Sequence, residues 1–258
     1  MKKFTKVVSL MLAAILMMAL CTACGGDSKK DDSTITFGTN AEFPPFEYVT
    51  AKGVIGEFDG IDMAIAKQIG EDNGMKAKIE NMEFDSLLLA LENGQVDAVI
   101  AGMTITDEKK DAVDFSKPYY TAKQVMIVKE DSDIQKASDM ADKKIVVLQG
   151  FTGETCVNEM GYKYESFKKG TEAIMELVNG KCDVVVIDSA TAEKYVKDNE
   201  GLKIVEDNDA FEAEEYGIAV KKGNTELLDK INKSLDKMME DGTISELSAK
   251  YAESSDAE

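Results

Sequence analysis

Asn-Gly-Gln-Val-Asp-Ala-Val-Ile at 93–100 is nearly repeated as Asn-Gly-Lys-Cys-Asp-Val-Val-Val at 179–186. Each copy has the pattern of a helix stop and a turn, followed by an aspartate and an apolar strand. The copies lie too far apart in the chain for a solenoid repeat. We interpret them as equivalent pieces of two similar α/β lobes.

Strand-like and helix-like stretches alternate around both copies. This alternation predicts mainly parallel sheets with right-handed crossovers, and a ligand cleft outside the carboxyl ends of the strands. The predicted strands are 35–38, 76–80, 96–101, 144–148, 163–166 and 183–187, and the predicted helices are 60–70, 85–92, 107–111, 153–160, 171–179 and 190–197.

Two extended apolar stretches, 124–129 and 216–221, lie at the junctions between the repeated parts. We interpret them as a two-stranded hinge. This divides the chain into a discontinuous lobe 1, formed by 34–122 with 218–258, and a lobe 2, formed by 123–217. Amphipathic helices are expected at 225–240 and 243–251, packing on lobe 1.

The first residues have the pattern of a secretory signal. Basic Lys2, Lys3 and Lys6 precede an apolar run at 7–20 that is too short to span a hydrocarbon core of ~30 Å. The stretch ending at Cys24 resembles a bacterial lipobox, with Cys21 standing where Leu is preferred. We predict a signal peptide at 1–23, lipidation of Cys24 and a flexible tether at 24–33. The alternative is an ordinary secreted protein cleaved nearby.

The charge and composition limit the partners. The formal net charge is −19, and His, Trp and Arg are absent. A strongly acidic surface repels nucleic acid, so no nucleic-acid partner is expected. Without His, the commonest metal ligand is missing, and we predict no metal and no cofactor. Cys156 and Cys182 are either a disulfide or two buried thiols.

Six stretches, at 38–47, 56–62, 101–109, 113–120, 149–154 and 186–189, carry a family resemblance. In this order they resemble the motifs of type II amino-acid-binding proteins of ABC importers, the polar amino-acid-binding family (family 3). The resemblance implies a type II periplasmic binding protein fold and a monomer on the outer face of the membrane. It also implies an amino acid ligand and an ABC transporter permease as partner. No Walker-type loop occurs, so a separate subunit is expected to hydrolyse ATP.

An amino acid ligand needs partners for its carboxylate and its ammonium. The loop at 102–106, with Gly102, Met103 and Thr104, leads into a helix N-terminus, where free N–H groups favour an anion. Thr152 lies at the matching place in lobe 2. Each threonine is otherwise a helix cap. Asp188 follows a buried strand and is predicted to hold the ammonium, or to cap the next helix.

The resemblance also implies the walls of the cleft. It places Phe43 and Phe84 on either side of the ligand's side chain, and Phe46 in the adjoining core or wall. Asn40 stands where relatives that bind basic amino acids often carry Asp. A neutral amide argues against strict selection of a cationic side chain, although nearby Glu42 keeps that possibility open.

Lys109 departs from the family pattern, because this position is usually Arg. Arginine grips a carboxylate through two parallel N–H bonds, whereas lysine offers one mobile charge. Either the site accepts Lys109, in keeping with the absence of Arg throughout the chain, or the ligand is not a standard α-amino acid. Lys110 is the alternative cation.

We expect a binding protein and not an enzyme. The rival interpretation from another class is a cyclic amino-acid dehydratase on the same fold, which would use Glu42, Glu47 or Glu154 as its acid. A third is the ligand-sensing lobe of a receptor, for which the sequence shows no output domain after 251.

Overall fold

A computed structural model describes residues 33–253. The predicted signal peptide, Cys24 and nearly all of the tether lie outside these residues. The strands are β1 (Thr34–Thr39), β2 (Glu42–Phe43), β3 (Glu47–Val49), β4 (Phe58–Asp59), β5 (Lys76–Asn81), β6 (Ala98–Val99), β7 (Val113–Phe115), β8 (Tyr120–Lys129), β9 (Ile145–Leu148), β10 (Tyr164–Phe167), β11 (Val184–Asp188), β12 (Leu202–Val205), β13 (Ala213–Tyr216) and β14 (Ala219–Lys221). The α-helices are α1 (Ile61–Asp72), α2 (Leu87–Glu92), α3 (Asp107–Ala112), α4 (Thr152–Glu159), α5 (Gly170–Val178), α6 (Ser189–Asp198), α7 (Thr225–Glu240) and α8 (Thr243–Glu253), with 3-10 turns at Phe84–Ser86 and Ala137–Met140.

Two sheets of matching topology confirm the predicted fold class. The first has the order β5-β1-β6-β14-β7, and the second has the order β10-β9-β11-β8-β12. In each, three neighbouring strands are parallel, and the antiparallel pairings surround one reversed strand, β14 or β8. These two strands enter their sheets from the edge where the parallel strands end, so they must run the opposite way. Strands β2, β3 and β4 form a small separate sheet.

The repeated segments do the same structural work in both sheets. Gly94 and Gly180 have φ of 72° and 69°, the left-handed conformation that ends a helix. The aspartate that follows each of them binds the neighbouring strand. Asp97 Oδ2 accepts the N–H of Thr36 at 2.9 Å, and Asp183 Oδ2 accepts that of Lys144 at 2.7 Å. The repeat therefore fixes the start of β6 against β1 in the first sheet, and the start of β11 against β9 in the second.

The chain crosses between the sheets at a place that differs from the prediction. Residues 124–129, expected as one hinge strand, lie inside the second sheet between β11 and β12. The crossing pair is instead the start of β8 with β13, with Tyr120 opposite Tyr216. The 124–129 stretch is continuously apolar apart from its ends because it is buried on both faces, as an interior strand is.

Apolar strands form the centre of both layers. Every residue of β9 and β11 is buried. Each buried Val, Leu or Ile side chain stabilises the fold by roughly 1.5–3 kcal/mol relative to exposure. Helices α7 and α8 return to pack against α1, beside the first sheet. Within 33–253, no helix has the length and apolar character needed to cross a membrane.

Cys156 and Cys182 are free thiols in the structure. Cys182 is buried and Cys156 is half-buried. Burial raises the pKa of both thiols to about 11, so neither is a reactive thiolate at neutral pH.

Candidate functional site

The candidate site lies where β6 and β11 end, beside the strand pair that crosses between the sheets. The loop after β6 is tied to the returning chain. The N–H of Ile105 donates to the carbonyl of Glu215 at 2.8 Å, and the N–H of Gly217 donates to that of Met103 at 3.0 Å. The loop is therefore fixed in position by its own backbone bonds to β13 and the residue that follows it.

Two threonine hydroxyls, one from each sheet region, converge on a single carboxylate. Thr104 Oγ1 donates to Glu214 Oε2 at 2.8 Å, and the Thr152 hydroxyl lies close enough to lower the pKa of the same carboxyl. Gln124 Nε2 lies 3.5 Å from the same oxygen. These contacts identify an anion-binding group of side-chain donors. Glu214 itself was not predicted from the sequence.

Lys109 is half-buried beside these donors, and its Nζ donates to the carbonyl of Thr104 at 3.2 Å. Burial lowers the pKa of Lys109, while the negative charges of Glu214 and Asp188 act in the opposite direction. The alternative cation, Lys110, is exposed and pairs with Asp107 on its own helix at 3.1 Å. Of the two lysines, Lys109 is the one close to the carboxylates.

Asp188 ends β11 and is 2% exposed. Its Oδ1 accepts a hydrogen bond from Tyr216 Oη at 2.6 Å, and its carboxyl also bonds the side chain of Gln124. Burial, followed by the charge of Glu214, raises the pKa of Asp188 to about 7. Although Asp188 occupies the N-cap position of α6, its side chain makes no capping bond. The capping alternative is therefore wrong.

An aromatic cluster borders these polar groups. Phe151 stacks on Phe84 with ring centroids 3.9 Å apart, and its ring lies 5.0 Å from that of Phe43. The two predicted wall residues thus both contact Phe151. This residue lies in the 149–154 stretch, and no role was predicted for it from the sequence. Phe46 is fully buried, edge-on to Tyr120 and Tyr216, and belongs to the core.

Gly102 faces inward and not toward an open site. Its N–H donates to Asp62 Oδ2 at 2.8 Å, and Tyr119 Oη donates to the same oxygen at 2.9 Å. The N–H groups of Gly102 and Ile105 are therefore engaged within the protein. The expectation that the whole loop at 102–106 offers free N–H groups is wrong for these two positions.

A second buried carboxyl lies behind this loop. Glu47 and Asp62 are both fully buried, and neither carboxyl oxygen of Glu47 has a hydrogen-bond partner among the described residues. Burial, reinforced by Asp62, holds the pKa of Glu47 well above its usual range. Burial raises the pKa of Asp62 to about 7 against the lowering effect of its hydrogen bonds. The pair anchors the loop from behind.

The other predicted residues line the surroundings. Asn40 is buried, and its amide donates to the carbonyl of Met82 at 2.9 Å, so this donor is engaged in the fold. Met103 is 1% exposed and contributes through its carbonyl. In the described part of the chain, no group of three or more Cys, Asp or Glu residues is arranged to hold a metal ion.

Contacts between the two halves also occur at the rim. Lys169 Nζ lies 3.0 Å from Glu42 Oε1, and Gln149 Nε2 donates to Asp85 Oδ2 at 3.0 Å. The Phe84–Phe151 stack, which is buried, joins the same two halves. We call these three pairs the rim contacts. They join residues near the first sheet to residues near the second.

Comparison with known proteins gives a consistent result. The family model described as bacterial extracellular solute-binding proteins, family 3, matches residues 35–254. The arginine-binding extracellular protein ArtP of Bacillus subtilis is 35% identical, covering 94% of this chain and 96% of ArtP. A probable histidine-binding protein of Neisseria gonorrhoeae is also 35% identical, covering 93% of each chain.

The solved structures agree with the fold. An ancestral arginine-binding protein bound to glutamine is 43% identical, with a TM-score of 0.79, covering 86% of this chain and 99% of that one. The family match spans both sheets, the crossing strands and the terminal helices. The chain therefore belongs to family 3 of the bacterial extracellular solute-binding proteins.

Proposed function

We propose that this protein captures an amino acid between its two sheets and delivers it to an ABC importer. The observation that carries the proposal is that Thr104 and Thr152, which follow strands of different sheets, both lie at one carboxylate beside Asp188. A zwitterion needs an anion-binding group and a carboxylate at short range. This geometry supplies both.

Each predicted residue receives a role in this proposal. Thr104, Thr152 and Lys109 bind the α-carboxylate, and Asp188 binds the α-ammonium. Phe43 and Phe84 form walls for the side chain. The remaining predicted members, Asn40, Gly102 and Met103, shape the site through their backbone and buried contacts. The lobes at 34–122 with 218–258 and at 123–217 close on the ligand by a hinge motion.

The ligand class follows from the walls and from the relatives. The two relatives described above are named for binding arginine and histidine, and one solved neighbour holds glutamine. Aromatic faces attract cationic and planar polar groups. We propose a polar amino acid with a cationic, imidazole or amide side chain.

The cellular setting extends the proposal. Cys24 carries a lipid anchor at the outer face of the membrane, and the protein acts there as a monomer with a permease whose ATPase is a separate subunit. A pure binding role is supported by the contacts of two acids that a dehydratase could use, because both are engaged within the protein. Glu42 pairs with Lys169, and Glu154 accepts bonds from the Gly150 N–H and Ser166.

A thermal-shift screen of the mature protein against the twenty common amino acids and cystine tests the function. A ligand at 100 times its Kd adds about 2.7 kcal/mol to the free energy of unfolding, so binding raises the Tm. We expect a rise with arginine, histidine or glutamine, and its loss in Lys109→Ala. Lys110→Ala, which removes the exposed neighbour, is the matched control. No rise with any amino acid overturns the proposal.

A further inference from the structure

Glu214 stands out as a charged residue of the site that no part of the proposed function uses. It lies on β13, opposite Ala122 of β8, and its side chain is half-buried. Its neighbour Glu215 points the other way and is exposed. The alternation of β13 therefore directs one of two adjacent glutamates into the cleft.

The contacts of Glu214 coincide with those proposed for the ligand. Its carboxylate accepts from Thr104 Oγ1 at 2.8 Å, and both the nearby Thr152 hydroxyl and the charge of Lys109 lower its pKa. A hydroxyl has a single proton, so each threonine can donate to only one carboxylate at a time. A second carboxylate in the same place would also be repelled by the first.

We propose that Glu214 is an intramolecular competitor that occupies the anchors of the ligand's α-carboxylate and must release them when the ligand binds. This inference rests on the proposed function, because it concerns the same carboxylate anchors. The observed affinity for the ligand is then lower than the intrinsic affinity of the anchors, because the ligand must first displace the Glu214 carboxylate. Glu214 thereby becomes a residue that sets affinity and discriminates against weak carboxylate ligands.

The fold gives Glu214 a way out of the anchors. Within the described residues, β13 pairs with β8 along one edge, and on the other edge its last residue, Tyr216, bridges Thr104. Glu214 lies before that bridge on the strand. The half-buried side chain can turn toward solvent by rotating its own bonds, while the backbone ladder stays in place. Burial raises the pKa of Glu214, which indicates that its carboxylate is better hydrated outside the cleft.

Isothermal titration of L-arginine and of L-glutamine into wild type and Glu214→Gln tests the inference. The amide keeps the size of the side chain but binds the threonines without charge, and neutral hydrogen bonds are roughly half as strong as charged ones. We expect the Kd of Glu214→Gln to fall about tenfold, with Glu214→Ala changing in the same direction. Glu215→Gln removes the same charge from the exposed neighbour, and its Kd should equal that of wild type.

The outcomes separate the two claims. Tighter binding by Glu214→Gln alone, or binding by Glu214→Gln where wild type shows none, supports the competitor. Unchanged or weaker binding in Glu214→Gln overturns it and leaves the amino-acid-binding function standing. An equal gain in Glu215→Gln shows a general charge effect and also overturns it. If neither wild type nor any variant binds an amino acid, the proposed function fails and the inference with it.

Discussion

Replacing Asp188 by Asn should change ligand binding and ligand-free stability in opposite directions. The amide keeps an oxygen that can accept the 2.6 Å hydrogen bond from Tyr216 Oη, but it carries no charge for the ligand's ammonium. A hydrogen bond to a charged group contributes about 1.5–3 kcal/mol. The Kd for the ligand should therefore rise about 10- to 150-fold.

The ligand-free protein should gain stability at pH 8. Burial raises the pKa of Asp188 from 3.8 to about 7, so the folded state holds this proton more tightly than the unfolded state does. Stability is then lost as pH rises from about 4 to about 7, at up to about 1.4 kcal/mol per pH unit for this one group. Removing the charge should recover about 2–4 kcal/mol at pH 8 and about 1–2 kcal/mol at pH 5.

The surroundings can accept the new amide. Gln124 Oε1 is buried and accepts no hydrogen bond from the described residues, so it is available to an amide N–H. Urea unfolding at pH 5 and pH 8 measures the stability, and titration with L-arginine measures binding. Asp142→Asn, at an exposed position, is the control for the charge change. If Asp188→Asn loses binding but gains no stability at pH 8, the free-energy cost assigned to the buried charge is refuted. If its affinity for L-arginine is unchanged, the role of Asp188 in binding the ammonium is refuted.

Two further predictions concern the loop behind the site. Asp62 also has a pKa raised to about 7 by burial, so Asp62→Asn should flatten the decline of stability between pH 5 and pH 7 by up to about 1.4 kcal/mol per pH unit. The same slope in wild type and variant, from urea unfolding at several pH values, would contradict this. Gly102→Ala should cost about 2–4 kcal/mol, because φ is 53° and a Cβ would lie 2.9 Å from Phe43 Cε1. Gly74→Ala, with φ of 65° and open space, should cost about 1 kcal/mol, and equal losses in the two variants would show that the close approach is unimportant.

The periodicity of the chain was sufficient to predict the three parallel strands of each sheet. Helix stops at Gly94 and Gly180 and the apolar strands that follow depend on local conformation and burial, which a sequence displays directly. The position of the crossing could not be predicted so well. The apolar stretch at 124–129 is typical of any buried strand, and its pairing with β11 and β12 depends on tertiary contacts.

The candidate site was predictable where a residue follows a strand end or starts a helix. Thr152 and Asp188 meet both conditions, Thr104 meets the first, and the three are brought together. Glu214 was missed because Ala-Glu-Glu-Tyr shows no signal for which glutamate faces inward. That choice depends on the register of β13 against β8, and a shift of one residue would direct Glu215 into the cleft instead. Glu47 and Asp62 were missed because their burial results from packing between elements distant in sequence.

The rim contacts also affect how far the loaded and the unloaded receptor differ in conformation. The Lys169–Glu42 and Gln149–Asp85 contacts use no residue assigned to the ligand, so they stabilise the arrangement in which the two halves meet whether or not a ligand is bound. An exposed ion pair contributes about 0–1 kcal/mol, and a stacked aromatic pair about 0.5–1.5 kcal/mol. A ligand therefore needs less differential affinity to shut the protein. The same contacts act in the unloaded protein, so they make an empty receptor resemble a loaded one more closely.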